Sequence, residues 1–171
     1  MEVLKVEKEK EIKFEFLTAK ELEDIIYKGE SLPQDPRFFS TEEGGVFRFF
    51  RPKNCLNDQD KKIFPIIKEN NLIVGLAELE QSWFEDGVIV VKNVAIDYKF
   101  QDKKYGINLL DKIFQYARDN KLALQLSSYV NKDKDEGSHN KIKHIIKQMF
   151  KKYPDVKVLD NMRKGVNFLN N

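Results

Sequence analysis

The chain has 171 residues, of which 41% are hydrophobic and 34% are charged, with 30 basic against 28 acidic side chains. These values favour a single folded domain over residues 1–171 and exclude disordered and collagen-like classes. The net charge of +2 and the single cysteine exclude a strongly polyanion-seeking protein and a disulfide-bonded secreted scaffold. We therefore expect a cytoplasmic protein with no membrane association and no strong affinity for nucleic acid.

The first half of the chain predicts mostly strands. Alternation over residues 11–17, with Ile12 and Phe14 on one face, is typical of a half-buried strand. Thr18 and Glu21 have the spacing of a capping box and predict the start of a helix. Further strands are predicted at residues 46–51, 63–67, 72–80 and 87–96. Together they indicate an antiparallel meander.

The second half predicts a crossover. Apolar residues at helical spacing predict a helix over residues 105–120, and alternation predicts a strand from residue 122. A strand, helix and strand in this order place the two strands in parallel. An amphipathic helix ends before Pro154, and strands are predicted at residues 156–159 and 166–169. We therefore expect an α/β (α+β) fold with a mixed, mostly antiparallel sheet flanked by helices.

The connection between residue 96 and the helix at residue 105 is a candidate phosphate site. A strand-to-helix turn directs unpaired backbone N–H groups and the positive end of the helix dipole at one small volume. Lys103 and Lys104 add positive charge, Gly106 allows close approach of a ligand, and Asp102 is a candidate helix cap. The alternative is a plain strand-to-helix turn with solvated lysines.

This connection resembles the GNAT superfamily of acyl-CoA-dependent N-acetyltransferases. The family motif is Arg or Gln, two residues, Gly, one residue, then Gly or Ala, and Gln101 and Gly106 fill its first and last places. It follows the apolar triplet Val94-Ala95-Ile96 and precedes Leu109-Leu110, as in the family. Lys104 replaces the middle glycine. Either its backbone adopts the glycine conformation and its ammonium assists a phosphate, or the loop is reshaped.

The resemblance, which covers residues 11–160, implies acetyl-CoA as co-substrate and no metal. It implies that a splayed parallel pair of strands, residues 87–96 and 122–130, admits the pantetheine arm, while the diphosphate lies on the loop. Asn140 or Asn131 would correspond to the family's asparagine near the pantetheine, or be a turn or helix-start residue. The implied cofactor-binding residues are Val94, Ala95, Ile96, Gln101, Asp102, Lys103, Lys104, Tyr105, Gly106 and Asn140.

The catalytic groups are less well defined by the resemblance. Acyl transfer to an amine needs a proton acceptor, a donor for the oxyanion and an acid for the departing thiolate. A backbone N–H near Val94 is a candidate oxyanion donor, but the family's usual glutamates and tyrosine are missing. Glu80, with Glu85 or Asp86 as alternatives, is the nearest carboxylate, unless it is a solvated strand-end residue. Tyr153 is a candidate acid, although its place in an apolar stripe also predicts core packing.

The resemblance implies an enzyme that moves an acetyl group from acetyl-CoA to a primary amine by direct attack in a ternary complex. The acceptor is a small molecule or a protein, and the enzyme is a monomer or a homodimer. The alternative is a catalytically silent module of the same fold that binds CoA or regulates a partner. Lys104 and the missing catalytic residues motivate that alternative.

Overall fold

A computed structural model describes residues 9–28, 61–126 and 136–159, and in these residues six strands form a single sheet with helices beside it. The elements are β1 (Ile12–Thr18), α1 (Ala19–Lys28), β2 (Lys62–Glu69), β3 (Leu72–Gln81), β4 (Val88–Ile96), α2 (Tyr105–Asp119), β5 (Ala123–Leu126), α3 (Glu136–Lys152) and β6 (Val158–Leu159). A 3-10 helix, Tyr98–Lys103, connects β4 to α2. The strands predicted at residues 46–51 and 166–169 lie outside the described residues.

The strand order in the described sheet is β1-β2-β3-β4-β5-β6. The pairs from β1 to β4 are antiparallel, whereas β4 pairs with β5 and β5 with β6 in parallel. Asn70 and Asn71 close the β2–β3 hairpin with φ of 49° and 67°, as expected for the two-residue turn in which both residues need a positive φ. The predicted mixed, mostly antiparallel α/β fold is confirmed.

The start of α1 is held by the predicted capping box. The Thr18 N–H donates to Glu21 Oε2 at 2.7 Å, and the Glu21 N–H donates to Thr18 Oγ1 at 3.2 Å. The helix therefore begins directly after β1, and Leu22 packs with Leu17, Phe64 and other buried residues in a core on one face of the sheet, called the α1 side.

The opposite face of the sheet, called the α2 side, carries the larger core. Its buried members come from β3, β4, β5 and both later helices: Ala77, Leu79, Ile89, Val91, Leu109, Ile113, Phe114, Ala117, Leu124, Leu126, Ile146, Met149, Tyr153 and Val156. Because β4 is buried from both faces over its first half, its register against β3 is well defined. This register positions the loop that follows it.

Gly75 is required where β3 meets the end of β4, opposite Ile96. A Cβ at this position would collide with the Ile96 side chain and lie 2.8 Å from Ile67 Cγ2. We expect Gly75→Ala to lower the free energy of unfolding by about 2 kcal/mol, since overpacking a filled core costs roughly 1–3 kcal/mol. Urea denaturation measures the change, with Gly106→Ala as a control because its Cβ would lie 3.6 Å from the nearest atom. An unchanged midpoint for Gly75→Ala would contradict the expectation.

Candidate functional site

The connection from β4 to α2 is anchored to the sheet through Asp97. Its N–H donates to the Val74 carbonyl of β3 at 2.8 Å. Its Oδ1 accepts a hydrogen bond of 2.9 Å from the Lys99 N–H and so caps the 3-10 helix. The Asp97 side chain is completely buried. The loop therefore leaves the sheet in a defined direction.

Lys104 ends the 3-10 helix in a left-handed conformation, with φ 60° and ψ 16°. The family motif has a glycine here, and glycine adopts this region without steric cost. For other residues the left-handed region costs roughly 1–2 kcal/mol. The structure shows the backbone part of the first alternative, the conformation that a glycine would favour, while assistance of a phosphate by the Lys104 ammonium stays a prediction.

The first turn of α2 presents backbone donors that the helix does not use. Lys104 is the N-cap and makes no side-chain cap hydrogen bond. The Asn108 N–H donates to the Lys104 carbonyl at 3.1 Å. The preceding N–H groups, those of Tyr105, Gly106 and Ile107, therefore have no acceptor within the helix. Together with the positive end of the helix dipole, they form a place for an anion.

The two preceding loop residues, Gln101 and Asp102, lie within the 3-10 helix. A capping side chain belongs to the N-cap residue, from which it reaches the second or third helical N–H. The N-cap position of α2 is held by Lys104 rather than Asp102, and a capping role for Asp102 stays a prediction. The cap in this region is Asp97, and it acts on the 3-10 helix.

The second half of β4 is paired with β3 on one side only, within the described residues. Its parallel pairing with β5 covers Val88 to Val91, whereas its pairing with β3 continues to Ile96. The Asp97 N–H points to β3, and successive N–H groups of a strand point to alternate edges. The N–H of Val94 therefore points to the edge away from β3. This is the edge where the resemblance places the pantetheine arm.

A β-bulge interrupts β4 just before that edge. Glu78 lies opposite Asn93 while Leu79 lies opposite Val91, so Lys92 is an extra residue of β4. Bulges bend a strand and redirect its side chains, and they are frequent beside active sites. After the bulge, Ala95 packs with the core on the α1 side.

Two buried carboxylates of β3 lie on the α1 side near the bulge. Glu80 is 7% exposed, accepts a hydrogen bond of 2.8 Å from Trp83 Nε1, and lies 3.1 Å from the Lys92 ammonium. Glu78 is 4% exposed and pairs with Lys62 of β2 at 2.9 Å. Glu80 is therefore not a solvated strand-end residue. The sequence analysis missed Glu78, although the period of two along β3 places it on the same face as Glu80.

The environment of Glu80 keeps it ionised. Burial alone would raise its pKa, but the hydrogen bonds from Trp83 and Lys92 and the charges of Lys92 and Lys62 outweigh burial and lower the pKa below 4.5. Glu80 is thus a carboxylate at neutral pH. A carboxylate with a lowered pKa is a weak base, and it can accept a proton directly or through one water molecule.

A further buried carboxylate, Glu69 at the end of β2, binds two of the predicted site residues. Its Oε2 accepts a hydrogen bond of 2.5 Å from the Tyr105 hydroxyl, and its two oxygens each lie 3.2 Å from Lys103 Nζ. Burial, and then the hydrogen bond to Glu69, raises the pKa of Tyr105 to about 12. The pKa of Glu69 is lowered: burial would raise it, but Tyr105, Lys103 and Lys10 outweigh that effect.

Glu69 and Glu80 are expected to make the folded state less stable in acid. Their pKa values in the folded chain lie below the ordinary 4.5. Each contribution to stability is therefore present above that pH and is lost as the pH falls through the folded value. Urea unfolding between pH 7 and pH 3 measures the loss, and Glu69→Gln/Glu80→Gln should show a flatter dependence. Equal slopes for the two proteins would contradict this expectation.

The last two predicted residues lie at the α3 end of the molecule. Tyr153 is 4% exposed, packs against Phe114 with ring centroids 5.9 Å apart, and donates to Asp111 Oδ1 at 2.9 Å. Burial and Asp111 raise its pKa. Core packing is thus visible for Tyr153, whereas its acid role stays a prediction. Asn140 lies in α3, and its contact with the pantetheine also stays a prediction.

A cavity of about 240 Å³ lies at the other end of β4, where Lys61, Gly87 and Leu122 line it. Because β4 runs away from this cavity towards the loop, the cavity is not part of the candidate site. In residues 9–28, 61–126 and 136–159, no helix is long and apolar enough to cross a bilayer. The same residues contain no group of three or more His, Cys, Asp or Glu side chains arranged to hold a metal.

Several solved structures share this fold. An aminoglycoside acetyltransferase from an uncultured soil metagenomic sample, in complex with sisomicin, has a TM-score of 0.54 at 14% identity, over 78% of this chain and 86% of that chain. Ard1 from Thermoplasma volcanium has a TM-score of 0.51 at 13% identity, over 78% and 80%. AAC(6')-Iy, in complex with the bisubstrate analog CoA-S-monomethyl-acetylneamine, has a TM-score of 0.51 at 10% identity, over 78% and 88%.

Similarity at the level of sequence comes from a family model. No match is found among curated proteins. The model of the acetyltransferase (GNAT) family matches residues 25–140, which is more than half of the 171-residue chain. The matched range contains β2 to β5 and the loop between β4 and α2. The chain therefore belongs to the GNAT family and is an acetyltransferase of the GNAT type.

Proposed function

We propose that the chain transfers the acetyl group of acetyl-CoA to a primary amine by direct attack in a ternary complex. The observation that carries the proposal is the start of α2. There the N–H groups of residues 105–107 have no acceptor within the helix, and the side chain of the N-cap residue, Lys104, makes no cap hydrogen bond. Such a helix start favours the diphosphate of CoA. Membership of the acetyltransferase family supports acetyl-CoA as the donor.

The charges around the loop support the same ligand. Lys103 directs its ammonium at Glu69, whereas Lys104 is exposed beside the first turn of α2. We assign to Lys104 the role of the cation that assists a phosphate, as a point charge. The pantetheine arm would then run along the edge of β4 to which the Val94 N–H points. The residues of this chain thus fit both the anionic and the extended part of the cofactor.

The reaction needs three tasks from the protein. The amine nitrogen attacks the acetyl carbonyl carbon, and the oxyanion that forms accepts a hydrogen bond from the Val94 N–H. Before the attack the ammonium loses one proton through a water molecule to Glu80, which passes it to solvent, because a protonated amine cannot attack. The nitrogen loses its second proton by the same route as the tetrahedral intermediate collapses. The carbon–sulfur bond then breaks, and the CoA thiolate leaves and takes a proton from solvent or from Tyr153. The products are the N-acetylated amine and CoA.

The acceptor is proposed to be a primary amine of a small molecule or of a protein. Two structures with this fold carry aminoglycoside ligands: one holds sisomicin, and the other a bisubstrate analog of CoA and acetylneamine. In this chain the ionised Glu80 lies near the bulge on the α1 side. Because the Lys92 ammonium at 3.1 Å balances this charge, we base the amine acceptor on membership of the GNAT family.

Two measurements test the proposal. CoA at 100 times its dissociation constant should stabilise the folded protein by about 2.7 kcal/mol in a thermal shift assay. A panel of aminoglycosides, polyamines and peptides, incubated with acetyl-CoA, should release free thiol with at least one acceptor. A protein that CoA does not stabilise would overturn the proposal. Stabilisation without thiol release from any acceptor would identify the alternative, a CoA-binding module without catalysis.

A further inference from the structure

Glu69 connects the two residues on either side of the left-handed Lys104. Lys103 ends the 3-10 helix and Tyr105 begins α2, and both side chains bind the same carboxylate. The Lys103 ammonium lies 3.2 Å from each Glu69 oxygen, and the Tyr105 hydroxyl donates to Oε2 at 2.5 Å. Glu69 is 7% exposed and belongs to a different element, the end of β2.

The two contacts are also packed in place. Tyr105 is 6% exposed and packs with Ile67 and Val74, and its ring stacks on that of Phe100 with centroids 6.4 Å apart. Lys103 Nζ lies 4.7 Å from the centroid of the same Phe100 ring. The carboxylate, the ammonium and the two rings thus hold the backbone immediately before and after Lys104.

This arrangement can offset the steric cost of the left-handed conformation at Lys104. A glycine at this position would adopt the left-handed conformation without steric cost, whereas a lysine resists it. Tethering both neighbours to one buried carboxylate restricts the backbone at the position between them. The same restriction fixes the direction of the N–H groups of Tyr105, Gly106 and Ile107.

We propose that Glu69 is a positioning residue for the cofactor site: by binding Lys103 and Tyr105 it keeps Lys104 left-handed and the first amides of α2 directed at the diphosphate. The inference rests on the proposed function, because it concerns the same loop. It adds a residue from β2 to a site that the family motif confines to the connection between β4 and α2. Glu69 touches no ligand in this role and acts through its two partners.

A different result is expected if Glu69 hinders the binding of CoA instead of supporting it. If the carboxylate only withheld the Lys103 ammonium from the phosphates, its removal would strengthen the binding of CoA. If the carboxylate holds the loop, its removal weakens binding, and a glycine at position 104 suppresses the defect. The two roles are therefore distinguished by whether loss of the Glu69 carboxylate strengthens or weakens CoA binding. They also differ in whether that effect depends on the residue at position 104.

The test is a double-mutant cycle on CoA binding, measured by calorimetry with the full chain. Glu69→Gln should raise the dissociation constant about tenfold, the size of one lost charge-assisted contact. In a Lys104→Gly background the same substitution should raise it by less than about twofold, because glycine needs no restraint there. With an active acceptor, Glu69→Gln should raise KM for acetyl-CoA and leave kcat within about twofold, since Glu69 does not touch the reacting atoms.

Glu15→Gln is the matched control, because it removes a carboxylate that pairs with Lys68 at 2.9 Å away from the loop. It should leave CoA binding unchanged. A second measurement needs no ligand: amide hydrogen exchange at Asn108, whose N–H donates to the Lys104 carbonyl, should speed up in Glu69→Gln and not in Glu15→Gln. Tighter binding by Glu69→Gln, or equal effects in both backgrounds, would overturn the inference alone. A wild-type protein that binds no CoA would overturn the proposed function and this inference with it.

Discussion

Gly106→Leu is expected to abolish the binding of CoA while the protein stays folded. Among the described residues, a Cβ at residue 106 would meet only Ile96 Cγ1, at 3.6 Å, and it would otherwise enter the space beside the first turn of α2. A leucine would fill that space and keep the diphosphate from the backbone N–H groups. Two such charge-assisted hydrogen bonds contribute about 1.5–3 kcal/mol each, so the dissociation constant should rise at least about 100-fold. Calorimetry with CoA measures the change.

Asn108→Leu is the matched control for this prediction. Asn108 lies in the same region of α2 and is exposed, and its N–H is already bonded to the Lys104 carbonyl. The substitution adds the same side chain without blocking the first turn, so CoA affinity should stay within about twofold of the wild type. Far-UV circular dichroism verifies that both variants fold. If both release thiol at the wild-type rate, the first turn of α2 is not the cofactor site.

Local patterns predicted the elements that depend on neighbouring residues. The capping box of Thr18 and Glu21 was predictable because both partners lie within one turn. The parallel pairing of β4 with β5 was also predictable, since a helix of ordinary length connects them. The boundaries differ by only a residue or two, as helix and strand ends usually do.

The parts of the site that depend on distant residues could not be predicted. Glu69 is 34 residues from Lys103 and 36 from Tyr105 in the sequence, and its only local feature is a place before the Asn70-Asn71 turn. A single sequence shows no pairing over such distances. The motif left two alternatives open at Lys104, because a lysine disfavours the left-handed conformation that it adopts in place of the family's glycine.

Glu80→Gln is expected to lower kcat/KM at pH 7.5 about 100-fold with little change in KM for acetyl-CoA. The substitution keeps the size of the side chain and removes the carboxylate that we propose as the acceptor of the amine's proton. General base catalysis contributes typically 10²–10⁴-fold, and a relay through water lies at the low end of that range. Steady-state kinetics with the best acceptor measures the effect. Because the pKa of Glu80 is below 4.5, the wild-type rate should not fall through its protonation above about pH 5.

Glu78→Gln is the control that distinguishes the loss of a proton acceptor from the loss of an ion pair. Both glutamates lie on the same face of β3 and each binds a lysine, but Glu78 binds Lys62 of β2 whereas Glu80 binds Lys92 at the bulge of β4. Both carboxylates face β4, with Glu78 opposite Asn93 and Glu80 opposite Val90, and we assign the proton-accepting role to Glu80, which pairs with Lys92 of that strand. Glu78→Gln should therefore lower the unfolding temperature much as Glu80→Gln does, yet leave kcat/KM within about threefold. Equal losses of kcat/KM in the two variants would show that the loss of a carboxylate–lysine ion pair, rather than the loss of a base, explains the effect.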